Sequence, residues 1–104
     1  MLVPGSVQIV NESAFIGCER LKEVVFCEGI DTIKIGAVTL CKRLEIIEIA
    51  GEIRNIENFA FFYNNKKTKI VVTGMEHESY DWGDMWNSHG SGIFKMKMYE
   101  TIYK

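Results

Sequence analysis

His77 and His89 stand in a polar stretch with Glu76, Glu78, Asp81 and Asp84, a set of side chains able to ligate a divalent cation. Their spacing argues against that use. No His-Glu-x-x-His, Cys-x-x-Cys or Asp-x-Asp-x-Asp-Gly run occurs, and carboxylates in a polar loop are more often solvated. Ser88-His89, and Ser13 with a remote histidine, pair a hydroxyl with an imidazole but supply neither a third, orienting group nor an oxyanion site. Gly90-Ser91-Gly92 lacks the lysine and the strand-to-helix setting of a phosphate loop and reads as a connector. Asn11-Glu12-Ser13 fits a glycosylation acceptor, which matters only in a host that secretes and glycosylates the chain. The three cysteines are an odd set, and Cys18 and Cys41 are read as packed thiols, not as redox or metal centres. The expectation is a protein without a cofactor, a metal or a catalytic constellation.

The elements that would position these residues come from a repeat. Val7, Val10, Ala14, Phe15, Cys18, Leu21, Val24 and Phe26 recur 23 residues on as Ile30, Ile33, Ala37, Val38, Cys41, Leu44, Ile47 and Ile49. A further shift gives Ile53, Ile56, Ala60, Phe61, Asn64, Lys67, Ile70 and Val72. A fixed period of this length marks a solenoid, whose units bury their apolar sides against their neighbours. Cys18 and Cys41 fall on one column, where parallel Cβ vectors favour stacking over a bridge.

Within each unit, Leu21–Phe26, Leu44–Ile49 and Lys67–Val72 alternate with a period of two and are rich in β-branched residues, so they are strands. One strand per unit, with the chain returning behind it, requires a parallel sheet. Pro4-Gly5-Ser6, Cys27-Glu28-Gly29 and Ala50-Gly51-Glu52 turn the corner. Val7-x-x-Val10 and its equivalents form a second wall. Ala14-Phe15, Ala37-Val38 and Ala60-Phe61 set a small residue beside a large one, as a helical turn packed on the core would need, with Phe15 and Phe61 as anchors. Met1 and Val3 lie on the strand ladder already, so the first unit is entered in mid-repeat with an open edge.

The pattern Leu-x-x-Ile-x-Ile, a turn, Val-x-x-Ile and Ala-Phe-x-x-Cys resembles the BspA-like leucine-rich repeat family over Met1 to Val72. The resemblance implies a short right-handed leucine-rich-repeat solenoid, mostly β, with a parallel sheet on the concave face and helical or irregular turns behind. One domain covers 1–104, with repeats at about 1–26, 27–49 and 50–72 and a C-terminal cap at 73–104. Asn64 and Lys67 depart from the cysteine and leucine of the pattern, which suggests a looser interior in the third unit. After Thr73, Trp82 and Trp86 resemble the closing element of such arrays. Ile93–Tyr99 alternates as a last strand, whose Lys95 and Lys97 would protect an edge.

Of 104 residues, 12 are basic and 14 acidic, and 47% are hydrophobic. One core is well supplied, and no global positive field draws nucleic acid or an anionic membrane. No apolar run is long enough to span a bilayer, and Met-Leu-Val-Pro-Gly lacks the form of a secretory signal. The chain as written is expected in the cytoplasm, or at the cell surface or secreted if it is part of a longer protein. With Val24 and Phe26 inward, the outward rows are Leu2, Val25, Glu48 and Val71, and Glu23, Ile46 and Lys69. That face, more apolar than a solvated sheet needs, is the expected contact surface for a protein partner. The resemblance implies non-catalytic protein binding in a surface or adhesion protein; the alternative is a small intracellular inhibitor or adaptor with one target. The open N-terminal edge invites a homodimer.

Overall fold

The computed structural model describes residues 1–74, 81–90 and 97–104. Among these, eleven short strands build three parallel sheets around one core. The long sheet is β1 (Leu2–Val3), β4 (Glu23–Phe26), β7 (Ile46–Ala50), β9 (Lys69–Thr73) and β11 (Glu100–Tyr103), in that spatial order. The second holds β2 (Ile9–Val10), β5 (Thr32–Ile33), β8 (Asn55–Ile56) and β10 (Asp81–Trp82), and the third pairs β3 (Phe15–Ile16) with β6 (Val38–Thr39). Each coil thus has three sides and three corners. The registers Val24↔Ile47↔Ile70 and Val10↔Ile33↔Ile56 follow the repeat read from the sequence.

Of the helical or irregular turns expected behind the sheet, the described residues show irregular ones and no helix. At that corner Ala14, Ala37 and Ala60 donate their N–H to the carbonyls of Asn11, Lys34 and Glu57, closing four-residue turns. The third residue of each, Ser13, Gly36 and Phe59, has φ of 57°, 64° and 59°. A positive φ ends any right-handed helix and is what the third position of a type II turn demands. A second column repeats the device at Gly17, Leu40 and Tyr63, with φ of 65°, 59° and 59°. Glycine takes this backbone freely, whereas leucine and tyrosine do so at a cost of order 1–3 kcal/mol each. At the first corner glycine is required for space, since a Cβ on Gly5 would lie 2.0 Å from the Glu28 carbonyl oxygen.

Inward strand residues Val24, Phe26, Ile47, Ile49, Ile70 and Val72 are fully buried. Phe26 fills a gap created by its neighbours: the column Phe15, Val38, Phe61 has a small residue in its middle coil. The Phe26 ring sits 6.5 Å from Phe15 and 6.0 Å from Phe61, and Phe61 continues to Trp86 at 6.3 Å. Phe61 is the buried anchor the sequence implies, while Phe15, on the open first coil, is only partly covered.

The third coil is not loose. Asn64 donates its amide to the carbonyls of Val38 (2.9 Å) and Phe61 (2.8 Å) and accepts from the Cys41 N–H (3.0 Å). It does with an amide what Cys41 does more weakly with a thiol, which reaches the Phe15 carbonyl at 3.3 Å. Lys67 does not replace Leu44 inside. The turn closed by Leu44 N–H to Cys41 is closed in the next coil by Thr68 N–H to Asn65, one residue later than the repeat would place it. Thr68 therefore goes inward, its hydroxyl on the Leu44 carbonyl at 2.7 Å, and Lys67 lies exposed at a turn tip.

Beyond Thr73 the coil continues where the sequence period ends. Trp82 pairs with Ile56 at a spacing of 26 residues, and Glu100 with Lys69 at 31, so insertions hide the repeat without breaking the ladder. Trp82 donates its indole N–H to the Ile53 carbonyl at 2.7 Å, and Trp86 is buried over Phe61. The last described strand is Glu100–Tyr103; of the expected strand Ile93–Tyr99, residues 93–96, with Lys95, lie outside the described residues, and Lys97 to Tyr99 precede β11. Tyr99 points into the core instead, which sets the following residues in register with β9.

Asn64→Ala should lower stability by about 2–3 kcal/mol, because it strands the Cys41 N–H and the Val38 carbonyl and leaves the Phe61 carbonyl with Tyr99 alone. Lys67→Leu should leave the melting temperature unchanged, since the site is a turn tip. Thermal melts of both variants check the slipped register; a clear gain from the leucine would place residue 67 in the core.

Candidate binding surface

Period-two alternation carries every second residue of the long sheet outward. One outward row is Leu2, Val25, Glu48, Val71 and Ile102, in direct register from β1 to β11. The other is Glu23, Ile46, Lys69 and Glu100. The structure thus brings together all seven residues proposed from the sequence. It adds Glu100 and Ile102, missed because the 31-residue spacing conceals the strand that carries them. Leu2 is 62% exposed and Ile46 37%, while Val25, Glu48 and Val71 are half-buried by their neighbours. Lys69 meets Glu100 at 3.8 Å, an exposed pair of little energetic weight. Beside the rows, Cys27, Glu48, Ala50, Glu52 and Thr73 line a shallow depression of about 380 Å³. The face carries apolar contact area and a few charges, with no convergent set of catalytic groups.

A family model of the BspA type leucine rich repeat region, in six copies, matches residues 1–81. The chain belongs to the BspA-type leucine-rich repeat family. No curated protein and no solved structure matches it.

In this leucine-rich repeat domain several of the described reactive side chains take part in the fold. Cys18, Cys27 and Cys41 are free thiols, and burial pushes the Cys41 thiol up from its usual range. Ser88 is buried, donates to the Lys97 carbonyl at 3.2 Å and accepts from the Gly90 N–H at 3.1 Å. His89 is buried with its ring 5.5 Å from that of Tyr99. Burial first, then the charges of Lys66 and Lys97, lower its pKa. His77, Glu76 and Glu78 lie outside the described residues, and among the described residues no three His, Cys, Asp or Glu side chains gather as metal ligands.

Among the described residues, Tyr99 is the most shifted group. Its hydroxyl donates to the Phe61 carbonyl and accepts from the Asn64 N–H at 3.2 Å, tying the last segment to the third coil. Burial pushes its pKa up to about 12. Unfolding would free the phenol to ionise near its ordinary value of about 10, so Tyr99 stabilises the fold fully below pH 10 and loses that contribution as the pH rises toward 12. Stability measured in urea should fall over that window, and Tyr99→Phe should remove most of the fall while lowering stability at pH 7 by about 1–2 kcal/mol. An identical pH profile in the two proteins would dissociate Tyr99 from the effect.

Proposed function

We propose that this BspA-type domain is a non-catalytic protein-binding module and that the outward face of its long sheet is the contact surface. The observation that carries this is the row Leu2, Val25, Glu48, Val71 and Ile102, continuous over five strands and apolar at four of five positions. A sheet face exposed to water alone gains nothing from such a row, whereas a partner that covers it gains apolar burial. Repeat arrays suit this use because their interior is satisfied from coil to coil, leaving side chains of one sheet free to vary. Family membership supports the same reading, and the adhesive surface protein is the setting it favours.

Val25→Lys, Ile46→Lys and Val71→Lys together should leave the fold intact by circular dichroism and melting. They should abolish recovery of the protein that the wild-type domain selectively captures from an extract. Undiminished recovery of that protein would place the contact elsewhere.

The first coil supports self-association as well. All three sheets end there, on β1, β2 and β3, with Leu2, Ile9 and Ile16 between 47% and 62% exposed and Val7, Phe15, Cys18 and Leu21 only partly covered. Two copies joined at this end would pair unsatisfied strand edges and cover that apolar surface. Light scattering across a concentration series should show mass rising from monomer to dimer; a constant monomer mass would remove the proposal.

A further inference from the structure

Charge is sorted by corner. At the corner closed by the turns Cys18–Leu21, Cys41–Leu44 and Asn65–Thr68, the two-residue tips are Glu19-Arg20, Lys42-Arg43 and Lys66-Lys67. Five of these six exposed residues are basic. The described tips of the other two corners carry Glu12, Glu28, Glu52 and Asp84, and no lysine or arginine. A chain with net charge −2 thus holds one basic ridge along one edge of the solenoid. The one-residue slip of the third coil sustains it, since Lys67 falls beneath Arg43 instead of beneath Leu44. The ridge residues take part in neither of the two ion pairs found among the described residues. Its backbone is fixed: Asn65 donates its side-chain amide to the Lys42 carbonyl at 3.2 Å and accepts from the Lys67 N–H at 2.9 Å.

Next to the ridge runs an apolar strip. Ile16, Leu40 and Tyr63 are 54%, 48% and 52% exposed, and the Phe62 ring packs against Tyr63, tilted by 46°, at 4.6 Å. With Ile35 and Gly36 they border a hollow of about 380 Å³. Leu40 and Tyr63 are also the residues held at positive φ where the first coil has Gly17. Stability would be served by glycine there, and solubility by a polar residue. Neither accounts for large apolar side chains held in strain and exposed to water, whereas contact with a partner does.

We infer that the ridge and the strip form a second docking surface, for an extended polypeptide segment that alternates carboxylate and large apolar side chains. It is distinct from the sheet face and stands whether or not that face binds. A strand lying edge-on between the two features sends alternate side chains to opposite sides, carboxylates to Arg20, Arg43 and Lys67 and apolar groups to Leu40 and Tyr63. The coils are about 4.8 Å apart, so the three tips span roughly 10 Å, and about four to six extended residues cover them. Charge complementarity selects an acidic partner over a neutral one. Glu19 within the ridge and Glu45 beside it, with Lys22 the only base next to them on these two coils outside the tips, interrupt the positive charge and oppose the dense, continuous charge of a nucleic acid more than the spaced carboxylates of a peptide.

The test is fluorescence anisotropy with a labelled twelve-residue peptide of alternating Asp or Glu and Leu or Phe, beside the same peptide with Lys for each acid and a labelled thymidine oligonucleotide. The acidic peptide should bind, and weaken as salt rises. Arg20→Gln, Arg43→Gln and Lys67→Gln together should weaken it at least tenfold. Leu40→Gly with Tyr63→Gly should do the same with the melting temperature held or raised, which separates lost contact from lost fold. The triple lysine variant of the sheet face should bind the peptide like wild type. Equal binding of the lysine peptide, tighter binding of the oligonucleotide, full binding by either ridge or strip variant, or no binding of the acidic peptide would overturn the proposal.

Discussion

Backbone pairing between equivalent residues of successive coils is the constraint on which everything else rests. A coil that donates to the coil on one side and accepts from the other cannot shift by one residue without turning its inward side chains to water. Every side of the solenoid must therefore return to register once per turn. The corners absorb differences in length, which is why the third coil can close a turn one residue late, and the fourth can be longer than the repeat, while the strands stay aligned. Stability is local for the same reason: each coil is held by its neighbours and by little beyond them.

Side chains reinforce that pairing where it is weakest. Asn64 and Thr68 occupy interior positions that hold a thiol and a leucine one coil earlier, and each uses its polar group to bind a carbonyl of the preceding coil. Tyr99 then bonds to the coil that Asn64 completes. The polar atoms at this end are thus a chain of ties between the repeat and the segment that closes it. Trp86 covers the apolar remainder.

The fold was legible from Met1 to Val72 because eight positions recur at one spacing, and the inward and outward rows of the long sheet followed from alternation alone. Four features of the fold were not legible. The fourth coil was hidden because its spacing of 26 residues on the second sheet, and of 31 on the long one, breaks periodicity without breaking pairing. Its last described strand was placed too early because Lys97 to Tyr99 continue an alternation that belongs to a core plug. Lys67 was assigned to the interior because a fixed period cannot register a turn that slips by one. The turns behind the sheet are irregular and not helical on backbone grounds: positive φ at Ser13, Gly36 and Phe59 is invisible where the residue is not glycine. The surface rows needed only the period of two, whereas the basic ridge needed the corners, since overall composition reports a chain close to neutral.

The turn tips divide the sequence into two independent texts. Inward residues specify the coil, and the side chains of the tip pairs Glu19-Arg20, Lys42-Arg43 and Lys66-Lys67 lie exposed outside the core, only their backbone being held. Gly5 shows the opposite case, a corner so tightly stacked that a single added carbon would meet the neighbouring backbone. One edge of the array is therefore tied to glycine where its coils stack most closely, and another can be rewritten two letters per coil, so that a new partner specificity needs no new fold.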